Sequence, residues 1–253
     1  MYEQQREQFA REGYAVFEKA LVGPMLDMLR EQCDSFVARE DAKMDELGVD
    51  TIGITHRGKR YFANECQREQ PKLREMLFGE TMAEICRATL GDDVYFFFDQ
   101  YVVKGPSGGM PFAWHQDSGY VNHYGGPPAH KPYLTCWCPL DDATIENGTV
   151  RLLPFSQIPE SRESVLPHTK QDGSNDLVGW TGPEEGVTVE VPAGSVVVFS
   201  SRVLHATGAN STTKMRRVYL AQYSPEAIIN PGTNHLRRNA IPLLRNGQHV
   251  TLA

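Results

Sequence analysis

The residues best suited to chemistry sit in one short run, Trp114-His115-Gln116-Asp117. On an extended chain, residues two apart project to the same face. His115 and Asp117 are therefore expected to reach one metal ion together. By itself the pair is weak, because 8 His and 13 Asp in 253 residues give roughly 0.4 His-x-Asp matches by chance. A third ligand must come from a distant segment. His205, just beyond the strand-like run Ser195 to Ser200, is the candidate. Two imidazoles and a carboxylate on one face of an ion form the facial triad of non-haem Fe(II) oxygenases. That arrangement leaves two positions for a bidentate 2-oxo acid and one for O₂.

Eleven residues after His205 stands Arg216, followed by Arg217 at the head of a strand-like run ending at Tyr223. Strand alternation turns only one of the two inward. A buried guanidinium calls for a carboxylate, which its planar fork binds through two hydrogen bonds. The distal carboxylate of 2-oxoglutarate is such a partner.

Elements must hold these residues in place. The first third of the chain reads as helical: Glu3 to Glu12, stopped by Gly13, then a run opened by Pro24, then about Lys72 to Phe78 and Glu80 to Leu90. Tyr14 to Phe17 is a short strand between the first two. From Asp93 the texture becomes β-branched and aromatic. Strands are expected over Val94 to Lys104, Tyr133 to Leu140, Thr149 to Leu153, Val187 to Val191, Ser195 to Ser200 and Arg217 to Tyr223. Gly/Pro turns separate them, which favours a sandwich or barrel over a parallel sheet. The expectation is one mainly β (α+β) domain over 1–253: a helical layer at about 1–92, a β core at about 93–225, and a C-terminal segment 226–253.

With these residues assembled, the chain resembles the phytanoyl-CoA dioxygenase family. The likeness is carried by Trp114-His115-Gln116-Asp117, His205-x-Thr207-x-x-Asn210, Arg216, the stretch Asp141 to Pro154 with Glu146-Asn147-Gly148-Thr149, and the closing Gln222-Tyr223-Ser224-Pro225. One departure is Pro154-Phe155-Ser156-Gln157, where the family usually has a Pro-Gly-Ser-His turn. The resemblance implies a double-stranded β-helix (jelly-roll, cupin-like) core under an N-terminal helical layer. It also implies Fe(II), 2-oxoglutarate as cosubstrate, O₂, and release of succinate and CO₂. Residue by residue, it makes His115, Asp117 and His205 the iron ligands. Arg216 becomes the 2-oxoglutarate anchor, with Thr207 beside it. Thr135, Trp137 and Gln100 border the cosubstrate. A carboxylate at Asp117 favours hydroxylation over halogenation, which needs that ligand position vacant. Two alternatives stand beside this: a metal-dependent cupin without a 2-oxo acid, and a family member that binds without turning over. Neutral histidines are required for iron binding, so activity is expected to fall below roughly pH 6.

Bulk properties narrow the partners. A net charge of -7 argues against nucleic acid or an anionic membrane. No apolar stretch reaches 18 residues and no signal peptide opens the chain, and the five cysteines form no framework, so a reduced, cytoplasmic protein is expected. Cys136 and Cys138 are expected to be core residues rather than a soft metal site. The partner expected is a small free organic molecule. Tyr120, His123 and Tyr61 are its candidate contacts: the first two on a Gly/Pro-rich loop overhanging the metal, the third in the basic stretch Thr51 to Asn64, taken as a solvated loop. Trp180 is left open between a lid residue and a packing anchor. The remaining histidines, His168 among them, are taken as exposed or loop residues.

Overall fold

The computed structural model describes residues 2–125 and 130–250, except for the side chains of residues 123–125. In chain order the elements begin with α1 (Glu3–Glu12), β1 (Tyr14–Phe17), α2 (Pro24–Leu47), β2 (Thr51–Ile52), β3 (Thr55–His56) and β4 (Arg60–Asn64). Then come α3 (Leu73–Leu77), α4 (Glu80–Thr89), β5 (Val94–Lys104), β6 (Phe112–His115), α5 (Asp117–Gly125), β7 (Leu134–Pro139) and β8 (Val150–Leu153). The chain continues with α6 (Glu160–Glu163), β9 (Thr169–Lys170), β10 (Leu177–Val178), β11 (Val187–Thr188), β12 (Val196–Ser200) and β13 (Leu204–Thr207). It closes with β14 (Arg216–Ser224), β15 (Ile241–Arg245) and β16 (Gln248–His249).

Two antiparallel sheets form the core. The larger runs β1-β12-β7-β14-β5-β4-β3-β2, with β15 also pairing β5; the smaller runs β11-β8-β13-β6. Their inner faces meet: Trp137, Val197, Phe199, Val218 and Leu220 of the large sheet pack with Val150 and Leu152 of the small one. This is the expected jelly roll. The outer face of the large sheet carries Tyr101, Cys136, Cys138, Tyr219 and Ala221 beneath Leu29, Cys33 and Phe36 of α2 and Met82, Ile85 and Cys86 of α4. Period-two alternation thus sends Cys136 and Cys138 to the helical layer and Thr135 and Trp137 to the interior. All five cysteines are buried free thiols. α1 stops where expected, because Gly13 takes φ 78° and a Cβ there would strike the Phe155 ring. No helix among the described residues is long and apolar enough to cross a membrane.

The stretch 51–64 corrects the expectation of a solvated loop. It forms β2, β3 and β4, and Arg60 is buried. Its Nη2 and Nη1 donate to Asp176 Oδ1 at 2.7 Å and Oδ2 at 3.1 Å, and Nε donates to Ile54 O. This bidentate pair ties the segment after β9 to the large sheet. Breaking one partner strands a buried charge, so Arg60→Met should lower stability to urea unfolding by about 3–5 kcal/mol. The double variant Arg60→Met/Asp176→Leu should recover much of that loss.

A second buried charge lies on the outer face. Asp99 Oδ2 accepts from Gln67 N–H and Tyr219 O–H, while Oδ1 has no partner. Burial outweighs those two bonds and pushes its pKa up to about 6. Between about pH 4 and 6 the folded state therefore holds a proton that the unfolded state has released, and stability falls as pH rises through that window. The loss is on the order of 3 kcal/mol. Asp99→Asn should flatten it, seen as a wild-type-minus-variant difference in thermal midpoint that is more positive at pH 4 than at pH 7.

Candidate metal centre

His115 ends β6 and His205 lies on β13, and the two are direct cross-strand partners. Their ring centroids are 4.0 Å apart. His205 is therefore part of a strand of its own rather than just past one. Each ring is oriented by a carbonyl two residues before it: Nδ1 of His115 meets Ala113 O at 2.8 Å, and Nδ1 of His205 meets Val203 O at 3.1 Å. A carbonyl only accepts, so Nδ1 carries the proton and both Nε2 atoms keep free lone pairs.

The two-residue spacing works differently from the strand expectation. Asp117 is not on the strand; it opens α5, after the chain turns at Gln116. Its Oδ1 lies 3.7 Å from His115 Nε2 and 3.6 Å from His205 Nε2. Two bonds of about 2 Å bridge such gaps. Among the described residues this is the one cluster of His, Cys, Asp and Glu able to hold a metal. Burial, then the adjacent His115, pushes the His205 pKa down to about 3. Burial thus favours the neutral ring that metal binding requires of His205.

The remaining carboxylate oxygen, Oδ2, accepts from Thr135 Oγ1 and from Gln222 Nε2, which also donates to Thr135 Oγ1. Thr135 thus contacts a member of the metal-capable cluster directly, and β7 and β14 together aim Oδ1 at the two imidazoles. Gln116 fixes the turn itself. It is fully buried, donates to Ser164 O and Arg202 O, and accepts from Leu166 N–H. Its backbone N–H donates to His168 Nε2. His168 is wedged against Gly119 and Gly179, where a Cβ would strike its ring. It is a packed, bonded residue and not an exposed one.

Arg216 opens β14 opposite Lys104 of β5. It is fully buried, whereas Arg217 turns outward to Asp141 and Asp34, as alternation required. Arg216 Nη2 donates to Gly148 O at 3.3 Å, while Nε and Nη1 have no partner. Its guanidinium carbon lies 5.5 Å from the Trp137 ring centre. Gly148, at φ 76°, closes on Gly208 O so tightly that a Cβ would clash. Lys104 is buried beside Arg216 and donates to Met110 O and Gly208 O. Burial, then the Arg216 charge, lowers its pKa to about 6. Lys104, Gln100, Thr207 and Trp137 line one pocket with His115, Asp117 and His205. The donor set suits Fe(II), and two unpartnered N–H groups on a buried guanidinium suit a carboxylate.

A profile of the family described as phytanoyl-CoA dioxygenase matches residues 9–218. The chain belongs to the phytanoyl-CoA dioxygenase family. Its relatives include a probable alpha-ketoglutarate-dependent hypophosphite dioxygenase of Stutzerimonas stutzeri, 26% identical over 73% of this chain and 68% of that protein. An L-proline trans-4-hydroxylase of Streptomyces griseoviridis is 24% identical over 85% of this chain and 84% of its own. Among solved structures, EvdO2 from Micromonospora carbonacea var. aurantiaca complexed with 2-oxoglutarate superposes with TM-score 0.70 at 24% identity, covering 93% of this chain and 95% of that one. EctD from S. alaskensis, solved with 2-oxoglutarate and 5-hydroxyectoine, gives 0.71 at 20% identity, covering 97% and 86%. These structures share the fold. The chain is a non-haem iron, 2-oxoglutarate-dependent dioxygenase for a small molecule.

Within this dioxygenase the expected substrate contacts fare unequally. Tyr120 lines a cavity of about 250 Å³ beside His115 and Asp117, but from helix α5 rather than from a loop. Its hydroxyl accepts from Leu177 N–H. His123 is in the same helix, and its side chain lies outside the described residues, as do residues 126–129 of the Gly/Pro-rich stretch. Tyr61 is misplaced: it is buried in the outer core, donates to Asp41 and accepts from Gly58 N–H. Its neighbours Phe62 and Asn64 line the cavity instead, because alternation on β4 sends Tyr61 the other way. Trp180 is a packing anchor with Trp114 and Leu166, its Nε1 donating to Glu184. Residues that the sequence signals did not single out as site groups include Gln116, Gln222, Phe62, Phe112, Arg237 and Arg238.

Proposed function

We propose that this dioxygenase hydroxylates a small free organic molecule, with His115, Asp117 and His205 as iron ligands and Arg216 as the anchor of 2-oxoglutarate. The observation that carries the assignment is the fully buried Arg216, with Nε and Nη1 unpartnered, packed against Trp137, which itself lines the pocket of the three metal-capable side chains. Lys104 stands at the same end, its amine donating to Met110 O and Gly208 O. When bound, iron with 2-oxoglutarate and O₂ supplies the oxidising chemistry, and the protein supplies placement and exclusion of water. Thr135 and Gln222 hold one oxygen of Asp117 so that the other faces the two Nε2 atoms. Phe62, Phe98 and Phe112 wall the adjoining cavity and offer apolar surface to a substrate body. Its size, about 250 Å³, is below the usual range for drug-sized ligands, about 300–1,000 Å³, which favours a free small molecule over an acyl-CoA held entirely inside. With a carboxylate in the third ligand position, wild-type enzyme in chloride should give no chlorinated product.

The test is an anaerobic titration of the purified protein with Fe(II) and 2-oxoglutarate, followed by the weak visible metal-to-ligand charge-transfer band, with succinate release measured after oxygen is admitted. A saturable band and succinate are expected. Absence of both, in protein that is folded and metal-loaded, overturns the assignment.

A further inference from the structure

The 250 Å³ cavity is aromatic on its walls and basic at its rim. Phe62 of β4, Phe98 of β5, Phe112 of β6 and Tyr120 of α5 form the walls. Asp117 is the sole carboxylate among the lining residues, and as a metal ligand it is already committed. The rim carries two adjacent arginines, Arg237 and Arg238, from the C-terminal segment. Arg237 is partly buried and fixed by donating to Asn230 Oδ1 and Val121 O. Arg238 is exposed, its guanidinium carbon 5.2 Å from the Phe98 ring centre, and it pairs with no carboxylate among the described residues. A chain of net charge -7 thus places two positive groups together on the lining of a chamber walled largely by aromatic rings. Stacking on Phe98 holds the Arg238 fork over the opening while leaving its N–H groups free to bond.

We propose that the organic substrate is an anion: a compact aromatic or alicyclic body bearing one carboxylate or phosphoryl group, with Arg238, backed by Arg237, gripping the oxyanion at the rim. The body then lies among Phe62, Phe98 and Phe112, and the carbon farthest from the anionic group faces His115 and Asp117. The proposal rests on the dioxygenase assignment above for which end reacts; the preference for an anion rests on the rim alone.

The experiment titrates iron-loaded, oxygen-free protein by calorimetry, with saturating 2-oxoglutarate present so that Arg216 is occupied. The probes are 3-phenylpropionate, phenyl phosphate and the neutral 3-phenylpropionamide. At least one anion should bind tenfold or more tightly than the amide, and the gap should shrink as salt is raised. Arg238→Gln should erase the gap, and Arg238→Lys should keep part of it. Whichever anion binds better selects between carboxylate and phosphoryl recognition. Equal binding of all three probes, no binding of any, or a gap unchanged in Arg238→Gln overturns the proposal. The same series separates the two claims. Wild-type protein that binds 2-oxoglutarate but shows no anion preference overturns the substrate class alone. Protein that fails to bind 2-oxoglutarate yet discriminates through Arg238 overturns the cosubstrate assignment and leaves the anion site standing.

Discussion

Asp117→Ala is expected to abolish turnover, with succinate release falling on the order of 10³-fold or more, beyond the 10–100-fold that loss of an outer hydrogen bond to a ligand costs. Among the described residues the carboxylate is the one anionic donor facing the two Nε2 atoms. Removing it leaves two neutral imidazoles, too few to hold Fe(II) against solvent. Thr135 and Gln222 lose their shared acceptor but keep each other, so the fold should survive. Circular dichroism and the thermal midpoint of metal-free protein check that directly. Gln222→Leu supplies the graded comparison: Asp117 stays, its aim loosens, and the loss should stay within that 10–100-fold range. Fe(II) titration without oxygen measures the cause, since affinity should collapse in Asp117→Ala and weaken in Gln222→Leu. Full metal affinity in Asp117→Ala would remove Asp117 from the ligand set.

The contrast between Asp117 and Gln222 also marks where the sequence is legible and where it stops. His115, Asp117, His205 and Arg216 stand out by residue type and spacing, since few other roles explain a carboxylate and an imidazole two apart with a later His and Arg. The helix Glu3–Glu12, the strand Val94–Lys104 and the turn at Gly13 were equally plain, because periodicity and φ preference are local. The geometry of the pair was not local. Same-face projection on a strand and a strand-to-helix turn both bring residues two apart together, and only the buried Gln116 with its three side-chain bonds decides for the turn. Arg60 misled for a related reason. In sequence it sits in a basic stretch, and its partner Asp176 lies 116 residues away, so nothing nearby reports that the charge is buried. Tyr61 and Phe62 differ by one position, and strand register alone determines which of them faces the cavity.

The second large effect belongs to Arg216, and it has two opposite signs. Arg216→Met should raise the KM for 2-oxoglutarate roughly 10²-fold or more, because truncating one member of a buried, hydrogen-bonded charge pair costs about 2–5 kcal/mol. The fall in kcat at saturating cosubstrate should be smaller, since the lost contact is made equally before and during the reaction. Arg216→Lys keeps the charge but not the fork, and should fall between the two. Without cosubstrate the sign reverses. Burial pushes the Arg216 pKa down to about 9, and Nε and Nη1 meet no acceptor. The guanidinium therefore destabilises the empty protein, and a methionine of similar reach should stabilise it by about 1–4 kcal/mol. Added 2-oxoglutarate should then raise the thermal midpoint of iron-loaded wild type markedly and that of Arg216→Met hardly at all. A residue kept only to hold the fold together gives the opposite pattern, with the variant less stable empty and still responsive to the cosubstrate. Two melting curves per protein, with and without 2-oxoglutarate, tell these apart, and they do so before any substrate is known.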